Sequence, residues 1–158
     1  MFGILRMGLA TLAFAAIVSA PAIASENYFE VTTANGPKVI GPADYAAIGE
    51  AEISTKVLTM GDGKHSVSGV LGRALIDYVN GSGATMRITA IDGYEMEVPV
   101  ADLKKYDVVI ATAIDGKALS VRDKGPAWLI YPVSDHKELD DTIYESRSVW
   151  QIKSIKFE

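Results

Sequence analysis

The chain of 158 residues contains no cysteine, which excludes disulfide bonds, thiol catalysis, thiolate metal ligands and covalent haem attachment. Histidine is scarce as well. His65 and His136 are the only two, and neither has a carboxylate at ligand spacing, so no zinc site is expected. Nucleophile elbows, phosphate loops and dinucleotide-binding fingerprints are also missing. The sequence therefore shows no catalytic nucleophile and no general base.

The chain also lacks basic runs. Its 20 acidic and 15 basic residues are well mixed and give a formal net charge of −5 at pH 7. A surface of this kind has no patch that would attract phosphate groups. Nucleic acids and anionic membranes are therefore not expected as partners.

Only the N-terminal segment contains a long apolar run, over residues 7–20. Arg6 precedes this run, and Ala22-Ile23-Ala24 has the small-x-small form of a signal-peptidase site. The run is shorter than the roughly 20 apolar residues of a membrane-spanning helix. We therefore predict a signal peptide over residues 1–24, no direct membrane insertion, and one exported domain over residues 25–158 in the periplasm. That length is sufficient for a core without a metal or disulfide.

Alternating apolar residues indicate that the domain is mostly β. Strands are predicted over residues 28–33, 38–40, 51–59, 64–68, 85–90, 94–98, 107–113, 117–121 and 148–157, and helices over 43–48, 70–79 and 100–105. The last strand changes parity between Ile152 and Ile155, which predicts a bulge near Lys153-Ser154. Many short strands with a few short helices indicate an α+β fold.

One hairpin can be assigned a register from the sequence alone. A three-residue turn, Ile91-Asp92-Gly93, sets Ala90 against Tyr94 and Ile88 against Met96, which keeps the apolar side chains on one face. Gly93 supplies the left-handed residue that such a turn requires. A two-residue turn would mix the faces, so the longer turn is predicted.

The most informative stretch runs from Gly125 to Asp135, where two prolines bracket a short run of bulky residues. The run reads as a strand that begins after Gly125-Pro126 and stops at Pro132. Trp128 and Tyr131 combine flat apolar faces with hydrogen-bonding groups, which suits a site for a flat heterocycle. The alternative is that both side chains simply fill the core. A polar surface excursion is predicted over residues 136–145.

Several segments resemble the small exported proteins of the sulfite-oxidase, molybdopterin-binding fold. They are residues 41–42, the strand from 51, and residues 65–71, 88–94, 98–103, 111–117, 125–132 and 147–152. The resemblance implies a mixed, mostly β domain with a cleft that holds a pterin. Enzymes of that fold bind molybdenum through a cysteine thiolate, and its absence here argues against molybdenum redox catalysis. The chain is also similar to cysteine-free periplasmic pterin-binding proteins of the PruR type.

A pterin offers a 2-amino, N3–H edge to a carboxylate, acceptors at O4 and N5 to an arginine, and a flat face to an aromatic ring. The candidate residues for these contacts are Trp128, Tyr131, Trp150, Tyr94, Asp135, Asp92 and Arg147. Each has an alternative role. Asp92 also suits a turn, Tyr94 also suits the core opposite Ala90, and Arg147 also suits a solvated strand edge.

Three functions follow as hypotheses. The first is a non-catalytic periplasmic sensor that binds a pterin, in a reduced form, without molybdenum. The resemblance implies that such a sensor signals to the periplasmic domain of an inner-membrane diguanylate cyclase/phosphodiesterase. The second is a degenerate molybdopterin-dependent oxidoreductase, and the third is a ligand-free protein-interaction module.

Overall fold

The computed structural model describes residues 27–158, so the predicted signal peptide lies outside the described residues. These described residues form ten strands: β1 (Phe29–Thr33), β2 (Gly36–Ile40), β3 (Glu50–Lys56), β4 (Lys64–Leu71), β5 (Thr85–Ala90), β6 (Glu95–Pro99), β7 (Val109–Ile114), β8 (Lys117–Ala118), β9 (Trp128–Ile130) and β10 (Ile152–Phe157). The α-helices are α1 (Pro42–Ile48), α2 (Gly72–Val79), α3 (Val100–Lys105) and α4 (Thr142–Arg147). Short 3₁₀ turns cover Val121–Asp123 and Lys137–Leu139. The α+β prediction is confirmed. No helix within residues 27–158 is long and apolar enough to cross a membrane.

The strands form two sheets. The first has the order β2-β1-β10-β5-β6, with β1 and β10 parallel and the other neighbours antiparallel. The second has the order β3-β4-β7-β8, and β9 also pairs with β7. The main core contains side chains from both sheets and from the helices. Chain segments that are distant in sequence therefore meet around one interior.

Strands β7 and β9 of the second sheet bury side chains on both faces of the sheet, whereas β3 and β8 keep exposed positions. Ile110 and Leu129 point into the main core, whereas Val109, Trp128 and Ile130 belong to a smaller apolar cluster. Successive side chains of a strand point to opposite faces, so a short strand between two cores has no solvent-facing side. This position explains why all three residues of β9 are bulky and buried.

Two local predictions are confirmed residue by residue. Ile88 pairs with Met96, the Ala90 nitrogen donates to the Tyr94 carbonyl at 2.8 Å, and Gly93 has a φ of 89°. The register of β10 against β5 shifts between Ile152 and Ser154, at the predicted bulge.

Other predicted boundaries are wrong. Helix α2 starts at Gly72 rather than Val70, because Val70 and Leu71 pair with β7 and extend β4. Strand β10 starts at Ile152 rather than Ser148, because Gln151 takes a left-handed φ of 52° that interrupts the strand. Strand β3 stops at Lys56, and β8 and β9 are shorter than predicted.

The segment predicted as a polar surface excursion is partly anchored. Its 3₁₀ turn buries Leu139 in the main core. Helix α4 then begins at Thr142, and the carboxylate of its N-cap residue Asp141 accepts a hydrogen bond from the Ile143 nitrogen at 2.9 Å. An aspartate at this position satisfies a backbone donor that the helix itself leaves unpaired. The excursion is therefore held at both ends.

Candidate functional site

A cavity of about 380 Å³ lies between the β5–β6 turn and the segment that joins α4 to β10. Its size falls in the range of roughly 300–1,000 Å³ that is usual for small-molecule sites. Its lining consists of Ala90, Asp92, Tyr94, Glu145, Ser146, Ser148, Val149 and Trp150. Three residues predicted from sequence, Asp92, Tyr94 and Trp150, thus meet in one cavity.

The β5–β6 turn positions the first wall of this cavity. The Asp92 carboxylate accepts a hydrogen bond from the Tyr94 nitrogen at 3.0 Å through Oδ1, an Asx turn that sets the local backbone. The Tyr94 side chain is 47% exposed, so its ring is accessible and does not fill the core. Asp92 acts as a turn residue, as its alternative role predicted, and it also lines the cavity.

Strand β9 positions the opposite wall. The Leu129 nitrogen donates to the Val149 carbonyl at 2.9 Å, and the Trp128 indole Nε1–H donates to the Ser148 carbonyl at 3.1 Å. The Ile91 nitrogen also donates to the Gln151 carbonyl at 2.9 Å, which ties the two walls together. Both walls are therefore held by backbone hydrogen bonds, and the 39% exposed Trp150 is carried on the second of them.

The polar atoms of the cavity are mostly hydrogen-bond acceptors. The Ser146 hydroxyl donates to the Thr142 carbonyl at 2.9 Å, and the Ser148 hydroxyl donates to the Tyr144 carbonyl at 2.8 Å. Each hydroxyl proton is thereby used, and the oxygens keep lone pairs for a ligand. Asp92 and Glu145 add carboxylates, and no lysine, arginine or histidine of residues 27–158 lines this cavity. Such a lining favours a ligand rich in N–H donors.

Trp128 lies behind the cavity instead of in it. Its side chain is only 2% exposed and packs in the smaller apolar cluster. Its ring meets that of Trp150 edge to face, with centroids 6.2 Å apart and planes at 84°. The Lys124 ammonium lies 4.5 Å from the Trp128 ring centroid. In this structure Trp128 supports the wall that carries Trp150, and its predicted role as a stacking platform stays a prediction.

Tyr131 and Arg147 converge on a residue that sequence reasoning missed, Asp102 of α3. The Tyr131 hydroxyl donates to Asp102 Oδ2 at 2.9 Å, and Arg147 Nη1 donates to the same oxygen at 2.9 Å. The Arg147 and Asp102 side chains are 18% and 14% exposed. Burial, together with the Asp102 carboxylate, raises the pKa of the Tyr131 phenol, so the hydroxyl stays protonated as a donor.

This cluster anchors the helix beside the cavity. Arg147 is the last residue of α4, and Glu145 and Ser146 of the same helix line the cavity. Arg147 itself is not part of the lining, because its guanidinium faces Asp102. The predicted contact between Arg147 and a pterin stays a prediction, and the structure shows a positioning contact in its place.

Asp135 is exposed and lies outside the lining of the cavity. Its backbone nitrogen donates to the Pro132 carbonyl at 3.1 Å, so it belongs to a turn that follows β9. Its predicted ligand contact stays untested.

Sequence reasoning also missed Glu145, Ser146 and Ser148. They precede Trp150, between the predicted polar excursion and the start of the last predicted strand. The sequence signal for them is their position beside Arg147 and Trp150, two of the predicted ligand contacts.

The residues present do not fit a molybdenum centre of the kind expected for the fold. The thiolate ligand is missing from the sequence. Within residues 27–158 no group of three or more histidine, aspartate or glutamate residues is arranged to hold a metal ion. The two cavity carboxylates, Asp92 and Glu145, are thus better suited to N–H donors of an organic ligand.

Comparison with known proteins supports the fold alone. No family model and no curated protein matches the chain. A solved structure that is similar is the sulfane dehydrogenase SoxCD from Paracoccus pantotrophus, with a TM-score of 0.58 and 12% sequence identity. The match covers 82% of this chain and 37% of the SoxCD chain, so this protein spans less than half of that neighbour. This likeness supports the predicted fold resemblance.

Proposed function

We propose that the protein is a non-catalytic periplasmic sensor that binds a reduced pterin in the cavity between the β5–β6 turn and Trp150. One observation carries the proposal: two exposed aromatic rings, Tyr94 and Trp150, line the same cavity as two carboxylates, Asp92 and Glu145. Flat heterocycles stack on such rings, and the 2-amino, N3–H edge of a pterin pairs with a carboxylate.

The acceptor-rich lining favours the reduced forms. A tetrahydropterin carries N–H donors at N5 and N8, where the oxidised ring has acceptors. Ser146 and Ser148 offer acceptors, since their hydroxyl protons are bonded to helix carbonyls. Among the described residues, no cation lines the cavity to pair with the phosphate of molybdopterin. A free reduced pterin therefore suits this lining better than molybdopterin does.

Signalling is the second part of the proposal. The resemblance to periplasmic pterin-binding proteins of the PruR type supports a partner in the inner membrane, a diguanylate cyclase/phosphodiesterase with a periplasmic domain. A sensor requires that loaded and empty forms differ in affinity for the partner. Helix α4 is suited to report occupancy, because it lines the cavity with Glu145 and Ser146 and is tied to Asp102 through Arg147.

Equilibrium titration of the purified protein with tetrahydropterin, oxidised pterin and lumazine tests the binding claim. Lumazine has an oxygen in place of the 2-amino group, so it lacks one donor of the recognised edge. We expect affinity to fall from tetrahydropterin to pterin to lumazine. Asp92→Asn and Glu145→Gln should each weaken tetrahydropterin binding by about 1–3 kcal/mol. Glu30→Gln, an exposed change outside the cavity, is the matched control.

The signalling claim is tested by capture of inner-membrane signalling proteins with empty and loaded protein, together with a turnover assay on tetrahydropterin. Preferential capture by one form, without consumption of the pterin, supports the sensor. Equal capture by both forms, or catalytic consumption, contradicts it. Capture without any pterin binding would favour the ligand-free interaction module.

A further inference from the structure

A second and larger cleft, of about 580 Å³, lies on the other side of Trp128. It shares no lining residue with the cavity between Tyr94 and Trp150. The loop after β3, the β7–β8 hairpin and the 3₁₀ turn at Val121–Asp123 surround it. Its volume suits a ligand at least as large as a bicyclic ring.

The floor of this second cleft is apolar, with Trp128, Ile114 and Leu119 among its lining residues. Trp128 and Ile114 are buried members of the smaller core cluster. Large apolar areas of this kind bind the body of an organic molecule, while a few charged groups fix its orientation. The cleft therefore suits a ligand with a flat or compact apolar body.

The cleft is lined by three cations, Lys117, Arg122 and Lys124, and by two carboxylates, Asp115 and Asp123. Lys117 pairs with Asp123 at 3.5 Å, and Asp115 is hydrogen-bonded to His65 Nδ1 at 2.8 Å and to the Ser66 nitrogen at 2.9 Å, which leaves Arg122 and Lys124 without a direct ion pair. Arg122 lines the cleft and makes no hydrogen bond or salt bridge within residues 27–158, although its charge helps to lower the pKa of the neighbouring Asp123 carboxyl. Its guanidinium presents a planar set of donors that matches a carboxylate or sulfonate.

Lys124 supplies a second cation. Its Nζ lies 4.5 Å from the Trp128 ring centroid and 4.7 Å from that of Trp150, and it donates to the Thr59 hydroxyl at 2.7 Å. None of these partners carries a negative charge. Partial burial lowers the pKa of the Lys124 ammonium, as expected for a cation without an anionic partner.

We propose that this second cleft binds a small organic anion with an aromatic or compact apolar body, held by Arg122 and Lys124 against the apolar side chains of the cleft. The site has its own lining residues and requires no metal, although Lys124 and Trp128 both contact Trp150 of the pterin cavity. Because the chain has two tryptophans, one beside each cavity, fluorescence can separate the two sites. In Trp150→Phe the remaining emission comes from Trp128, which lines the second cleft.

The test is titration of the purified protein and of its Trp150→Phe variant with 1-naphthoate, with uncharged 1-naphthamide as the matched probe. We expect naphthoate to bind at least tenfold more tightly than naphthamide and to change the Trp128 emission. Arg122→Gln and Lys124→Met should each weaken naphthoate binding by about tenfold, the loss of one charge-assisted contact. Arg73→Gln removes an arginine that pairs with Asp107 outside this cleft, and it should leave binding unchanged.

Equal binding of the two probes, or no binding of naphthoate, would overturn the proposal. Arg122 is exposed and unbonded, so Arg122→Gln leaves folding intact and keeps the test decisive. Undiminished binding to that variant would also overturn it. The outcome does not depend on pterin, so failure here leaves the proposed sensor function untouched.

Discussion

Four aromatic residues near the first cavity form two contrasting pairs, a buried pair on and next to β9 and an exposed pair that lines the cavity. Trp128 and Tyr131 are 2% and 1% exposed, whereas Tyr94 and Trp150 are 47% and 39% exposed. The residue types are the same, but their surroundings differ. The buried pair lies where a strand runs between two cores, and the exposed pair lies on segments outside the strands. Only the exposed pair can stack on a ligand without rearrangement.

The largest contrast should appear in stability when the two tryptophans are truncated. Trp128→Ala should lower the free energy of unfolding by about 3–5 kcal/mol, because it empties a packed site and removes the hydrogen bond to the Ser148 carbonyl. Trp150→Ala should cost less than about 1 kcal/mol. Urea denaturation of both variants measures the difference. Equal losses of unfolding free energy in the two variants would contradict the distinction between a buried and an exposed pair.

The next contrast concerns the ionic contact beneath α4. Asp102→Asn should lower the free energy of unfolding by about 2–4 kcal/mol, since it leaves the largely buried Arg147 without a negative partner. Asp107→Asn is a matched control in the same part of the chain, because its partner Arg73 is exposed. We expect that control to change stability by less than about 1 kcal/mol. Similar losses in the two variants would show that burial does not distinguish the pairs.

A smaller contrast involves the two tyrosine hydroxyls. Tyr131→Phe removes a donor to the Asp102 carboxylate and should cost about 1.5–3 kcal/mol. Tyr94→Phe should change stability by no more than about 0.5 kcal/mol, because the Tyr94 hydroxyl has no partner among residues 27–158. Thermal or urea unfolding of the two variants gives the comparison. A cost for Tyr94→Phe as large as that for Tyr131→Phe would contradict it.

The sequence allows the hairpin at residues 85–99 to be predicted in register. Alternation of apolar residues leaves only one arrangement that keeps Ile88 and Met96 on the same face, and Gly93 accepts the left-handed backbone. The bulge in β10 is predictable for the same reason. Both features depend on neighbouring residues and on the two-residue period of a strand.

The candidate site could be predicted only in part. The Asp102–Arg147 contact joins residues 45 positions apart, and local pattern does not reveal which helices meet. The burial of Trp128 could not be predicted either, because a short apolar strand has the same sequence pattern whether it borders a cleft or lies between two cores. Ser146 and Ser148 act as acceptors because their hydroxyl protons bond to carbonyls of α4. A polar segment of this kind does not predict where such a helix ends.

The most direct test of the proposed function is isothermal titration of tetrahydropterin into Trp150→Ala and Trp128→Phe. The first variant removes an exposed ring from the cavity, and the second keeps a buried ring behind it. We predict that Trp150→Ala loses about 1–3 kcal/mol of binding free energy, the value of one stacked ring. Trp128→Phe should bind within about threefold of the unaltered protein. Undiminished binding by Trp150→Ala, with binding abolished in folded Trp128→Phe, would contradict the assignment of the pterin to this cavity.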